Sequence, residues 1–141
     1  MLSTVEGEDG PVSAPTGWVF ADTWVLAAIG VYQRRCSLLE VVAAGDWMNH
    51  AVLEEHEVNE ALAKLVGAGL VRIFDDWTFE LTDDGASLFS ADSRSIQTQL
   101  ELIESALADL EPVRAKVALP KDVMAQALAD YREHGEKSTQ P

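Results

Sequence analysis

The sequence predicts a mainly α protein with one small β-hairpin, and three observations carry that expectation. Apolar residues recur at helical spacing through most of the chain between Asp22 and Tyr131. The stretch Ala61–Leu81, ALAKLVGAGLVRIFDDWTFEL, spells a helix ending in glycine, a strand, a two-carboxylate turn and a second strand. Hydrophobic residues make up 48% of the 141, enough for one packed domain with tails.

Residues 1–17 are rich in Gly, Pro, Ser and Glu, lack periodic apolar positions and read as a disordered arm. A first helix is expected from about Asp22, a good N-cap, to Arg35, burying Trp24, Val25, Ala28, Ile29 and Tyr32. Trp18 and Phe20, just ahead of it, also need cover. A second helix starts at the cap Ser37, carries Leu38, Leu39, Val41 and Val42 inward, and stops at Gly45. Asp46–Leu53 then reads as a connector. The third helix spans about Glu54 to Ala68, with Val58, Leu62, Leu65 and Val66 inward and Gly69 as a left-handed C-cap. Strands Leu70–Phe74 and Trp77–Leu81 flank the turn Asp75-Asp76, with Phe79 and Leu81 alternating against Thr78 and Glu80. Thr82 caps a helical turn that holds Ala86, Leu88 and Phe89.

Beyond this head, Ile96, Leu100, Ile103, Leu107 and Leu110 recur at alternating spacings of four and three, a coiled-coil seam. Pro112 interrupts it, with Arg114 and Val117 at the next seam positions. Pro120 opens a last helix that places Met124, Leu128 and Tyr131 on one face. A helix with one apolar stripe has to bury it. The stripe either folds back over the head or pairs with a second subunit, and the homodimer is the reading preferred. The chain then divides into an arm (1–17), a head (18–91), C-terminal dimerisation helices forming a stalk (92–134) and a frayed tail (135–141).

Charge and chemistry narrow the function. The net charge is −14, from 24 acidic and 10 basic residues. Between Ser37 and Ser90 stand eleven carboxylates and only two cations, Lys64 and Arg72. DNA affinity comes largely from cations that displace phosphate counterions, so this distribution opposes it. The single cysteine, Cys36, excludes a disulfide framework and, with no leader-like N-terminus and no long apolar run, points to a cytoplasmic protein. The pairs Asp46/His50 and His56/Glu60, with Cys36, have a spacing that metal ligands use, yet helix capping and turn hydrogen bonds explain them better. No metal, cofactor or catalytic constellation is assigned, and the chain is read as a binding protein. Trp47 and Trp77 are expected to pack in or at the core, with a partner contact as the alternative.

The segments LAKLVGAGLV (Leu62–Val71) and FELTDDGASL (Phe79–Leu88) resemble the recognition-helix end and the wing exit of bacterial regulators of the MarR and PadR kinds. The resemblance covers about half the chain, Asp22 to Ser90, and implies a winged helix-turn-helix head plus a C-terminal helical dimerisation segment. It also implies a transcriptional-regulator-like homodimer binding double-stranded DNA. The recognition-helix face would then be Glu54, Glu55, Glu57, Asn59, Glu60 and Lys64, and the wing Arg72, Asp75, Asp76 and Trp77. The departures are acidic: Asp75-Asp76 stand where the family commonly has Arg or Lys, and Glu54, Glu55 and Glu57 where it has polar or basic residues. First-turn carboxylates stabilise a helix by about 0.3–1 kcal/mol each, which explains part of that acidity. The rest supports the alternative function, a winged helix that has lost DNA binding and docks a basic protein partner through its acidic face.

Overall fold

The computed structural model describes residues 17–89 and 95–135, with side chains to Glu133. The remainder of the expected arm, Ser90 to Arg94 and the tail beyond Gly135 lie outside the described residues. The order is α1 (Phe20–Gly30), β1 (Cys36–Ser37), α2 (Leu38–Asn49), α3 (Glu55–Gly67), β2 (Val71–Ile73), β3 (Thr78–Leu81), α4 (Asp83–Ala86), α5 (Ile96–Ala108) and α6 (Lys121–Asp130). A π-helical turn, Tyr131–Gly135, continues α6. The chain is therefore mainly helical, with a small antiparallel sheet in the order β1–β3–β2. β2 and β3 form the expected hairpin in the register Val71↔Leu81, Arg72↔Glu80, Ile73↔Phe79, and β1 pairs on its other side through Cys36↔Phe79. Among the described residues, no helix is long and apolar enough to cross a membrane.

Several boundaries shift for physical reasons. α1 begins at Phe20, and Asp22 is not its cap. The Asp22 carboxylate reaches back from the third helical position to accept the Val19 N–H at 2.8 Å. α1 also ends at Gly30 instead of Arg35, because the chain turns through Gln33 (φ 56°) to enter the sheet at Cys36. Ser37 caps α2 by accepting from the Glu40 N–H at 3.1 Å, as the sequence suggests. Gly45 does not stop α2. It sits inside the helix, where a Cβ would lie 2.8 Å from Leu53, and its carbonyl accepts the Trp24 indole N–H. Asp46–Asn49, read as connector, is helical, and α2 ends at His50 in the left-handed region (φ 54°). Gly69 follows α3 at φ 79°, in the conformation expected of it.

α1 is the central element. Val25, Leu26, Ala28 and Ile29 are almost fully buried, and α2, α3 and α5 pack around it. Here the less preferred of the two readings of the C-terminal stripe, folding back over the head, is the one met. Leu100, Ile103 and Leu107 of the expected dimer seam are buried within the single chain, in the same core as Val25, Leu62 and Phe79. Ile96 packs against that core partly buried, and only Leu110 is left exposed. α6 packs on α2, adding Met124 and Tyr131 to the core. The C-terminal helices are thus layers of one core and do not extend as a stalk. The α5 stripe packs on α1 and shares its core.

Candidate functional site

The outer side of α3 is the surface that the sequence points to, and it is largely occupied. Between α5 and α6 the chain crosses α3 as a strap. The Ala115 N–H donates to the Ala63 carbonyl at 2.9 Å, and the Leu119 N–H donates to Asn59 Oδ1 at 2.8 Å. Arg114 forms an ion pair with Glu60. A Cβ on Gly67 would fall 1.5 Å from the Val113 carbonyl oxygen, so only glycine admits the strap there. Asn59, Glu60, Ala63 and Gly67 recur at spacings of one, three and four, a single stripe of α3, and the strap lies along that stripe.

Lys64 is not a surface cation. Its Nζ lies 2.7 Å from Asp22 Oδ2 with both side chains buried, and it also donates to the Gly17 carbonyl at 3.3 Å beside the Trp18 ring. Trp18 fastens this corner by donating its indole N–H to the Leu110 carbonyl at 3.0 Å. Of the expected recognition face, Asn59, Glu60 and Lys64 are therefore engaged with the chain's own strap or with α1. Glu54, Glu55 and Glu57 stay at the helix start. There Glu57 accepts the Glu54 N–H at 2.9 Å, and His56 lies 3.4 Å from the Glu54 carboxylate.

The hairpin is likewise internally compensated. Arg72 pairs across the strands with Glu80 at 3.2 Å. Asp76 accepts the Thr78 hydroxyl at 2.6 Å and the Arg35 guanidinium at 3.1 Å, and these two bonds hold its carboxyl below the usual range. Arg35 also lies over the Phe74 ring at 3.6 Å. Asp76, the acidic residue at the hairpin turn, thus closes that turn and ties it to the chain entering β1, while Asp75 is exposed. Trp77 adopts φ 58° and packs half-buried on the core, as expected. Trp47 does not. It is 63% exposed, since the buried face of α2 is Leu38, Val41, Val42, Ala44 and Gly45.

The metal-ligand spacings are not realised as a site. Asp46 accepts the Tyr131 hydroxyl, and Cys36 is buried, its thiol pushed up to about 12 by burial and then by Glu40. Among the described residues, no three His, Cys, Asp or Glu groups converge for a metal.

A cleft of about 570 Å³ opens beside the strap, between the first turn of α1 and the first half of α3. Val19, Phe20 and Trp24 form its apolar wall, and His56, Glu57 and Glu60 its polar wall. Phe20 stacks on Trp24 with ring centroids 6.2 Å apart. Asp22 lines the same cleft. Burial pushes its carboxyl above the usual range, against the hydrogen bond and charge of Lys64, and its Oδ1 is buried without a hydrogen-bond partner. An unsatisfied buried acceptor costs about 1–3 kcal/mol, more when charged. In the sequence Phe20 and Trp24, four apart, mark this wall, while Asp22 between them reads as a helix cap, which hides its place in the cleft. No protein-family model, curated protein or solved structure matches the chain.

Proposed function

We propose that the chain is a protein-interaction module on a winged helix-turn-helix frame, docking a basic partner and not reading DNA. The frame is supported by the order helix, short strand, helix, helix, hairpin, with the first strand beside the last in the sheet. In such a frame α3 is the helix that would enter a major groove, and the β2–β3 hairpin is the wing.

The strap over α3 carries the functional reading. A helix whose stripe Asn59–Gly67 is covered by residues of its own chain leaves mainly its acidic start, Glu54–Glu57, to meet base edges. Phosphate anchoring is opposed as well. Arg34, Arg35, Lys64, Arg72 and Arg114 are each paired with a carboxylate, on a chain of net charge −14. With Leu100, Ile103 and Leu107 already buried, nothing in the reading calls for a second subunit.

Anisotropy of a labelled DNA duplex with the full chain tests the reading. At about 20 mM salt no binding is expected, and tight binding that weakens steeply towards about 200 mM would establish a DNA binder instead.

A further inference from the structure

We infer that the cleft between α1 and the acidic start of α3 receives a basic, amphipathic peptide segment of a partner protein, with a lysine or arginine directed at Asp22. The inference rests on the protein-interaction reading and names its site. Two independent features meet in the cleft. One is an apolar wall left open to solvent, with Val19 52% and Phe20 42% exposed. The other is Asp22 Oδ1, buried, unpartnered and in need of a donor. Its sister oxygen Oδ2 is taken by Lys64 and by the Val19 N–H, and neither donor reaches Oδ1.

Charge selects among the occupants. The chain's own residues 1–16 carry Glu6, Glu8 and Asp9 and no cation. A second copy brings a net charge of −14. Both would meet Glu57 on the cleft wall, with Glu54 and Glu55 on the same helix start beside it, with like charge, whereas a cationic segment is attracted. The rim already demonstrates the pairing, since Arg114 is held there by Glu60 with both side chains at least half exposed. A partner's Lys or Arg entering the cleft would meet Asp22 and Glu57, which both line it. Aliphatic or aromatic neighbours on the same segment then cover Val19 and Phe20, the mixture of cation and apolar anchor found at binding hot spots.

The probe is a library of short random peptides displayed on phage and panned against the full chain. Counter-panning uses a Val19→Ser/Phe20→Gln variant and a Glu57→Gln variant. The substitutions are chosen to fold. Serine is a favourable cap at position 19, and glutamine at 57 keeps the oxygen that accepts the Glu54 N–H. Thermal melts of both variants check that they do. The expected result is enrichment of peptides that combine Lys or Arg with Leu, Phe or Trp, and about tenfold weaker capture by either variant. Three results overturn the inference: no enrichment, enriched peptides without a cation, or basic peptides captured equally by the variants, which would reflect general acidity. The duplex titration is read separately. DNA binding there would end the protein-interaction reading, whereas failure of the peptide arm alone ends only the assignment of this cleft.

Discussion

Lys64 Nζ lies 2.7 Å from Asp22 Oδ2, and the pair joins α3 to α1 with both side chains almost wholly withdrawn from water. A buried pair is costly to assemble but costlier to break, because the surviving charge is left unpaired. Lys64→Met is therefore expected to destabilise the fold by about 3–5 kcal/mol, read from urea unfolding at neutral pH. Replacing both partners, Asp22→Leu with Lys64→Met, is expected to recover most of that loss. The pH dependence has a definite sign. Removing Lys64 removes its hydrogen bond and its charge, which pull Asp22 down together with the Val19 N–H and Arg114, so its folded value rises further above 3.8. An acid raised on folding contributes stability that is present below its unfolded value and lost as pH rises through the folded one. Lys64→Met should thus lose less stability, relative to the parent, at pH about 4 than at pH about 7. An equal loss at both would show that Asp22 is not the charge left behind.

The strap supplies the second expectation. Gly67→Ala places a methyl carbon against the Val113 carbonyl, which is backbone and cannot swing aside. Asn59→Ala leaves the Leu119 N–H without its acceptor, worth about 1–3 kcal/mol if the amide stays buried. Both substitutions should lift residues 112–119 from α3. Deuterium uptake at Ala115 and Leu119 should rise while that of Val25 and Leu26 in α1 stays slow, unless the core itself opens. Unchanged uptake at the strap in Gly67→Ala would contradict the close approach of the Val113 carbonyl to Gly67.

What the sequence made legible divides along physical lines. Local signals survived: Ser37 capping α2, Gly69 after α3, the existence of the β2–β3 hairpin and the Thr82 cap, whose hydroxyl accepts the Gly85 N–H. Each depends on residues a few positions apart. The hairpin register did not survive, because Trp77 (φ 58°) joins the turn and shifts it by one from that of a two-residue Asp75-Asp76 turn. Long-range partnerships did not survive. The seam Ile96–Leu110 has the same period whether it faces a second subunit or α1, so periodicity identified the stripe and was silent on its partner. Lys64 looked like a surface cation because its partner, Asp22, lies 42 positions away and was spent as a helix cap. The strap was invisible for the same reason. Only Gly67 hinted at it, and a glycine near a helix end is ordinarily read as part of the stop.

The buried seam carries the third expectation. Ile103 is fully buried, and Leu100 and Leu107 flank it in the core shared with α1. Ile103→Ala should cost about 2–5 kcal/mol of stability, as expected for a core truncation. Because the stripe is covered within one chain, the unfolding midpoint should not depend on protein concentration. Light scattering on the eluted peak should give a mass near the 15.3 kDa of a single chain. A mass twice that, with a concentration-dependent midpoint for Ile103→Ala, would restore the seam as a subunit contact.

Cys36 carries the last. It lies in β1 with 1% of its surface exposed, opposite Phe79, its Sγ 3.9 Å from the Ile29 carbonyl oxygen. Burial, and then Glu40, push its thiol up to about 12 from an ordinary 9.0. The thiolate is the reactive form, so the native chain at pH about 8 should alkylate far more slowly than a free thiol, at a rate set by opening of the fold. Adding urea below the unfolding midpoint should accelerate labelling in step with that opening. A group whose folded pKa is raised contributes stability below its unfolded value and loses it as pH climbs through the folded one. Tyr32, raised by burial and then by Glu40, acts in the same direction. The urea midpoint should therefore fall between pH about 9 and about 12, and fall less steeply in Cys36→Ala. Rapid labelling of the native chain at pH about 8 would place Cys36 outside the core and remove β1 from the sheet edge assigned to it.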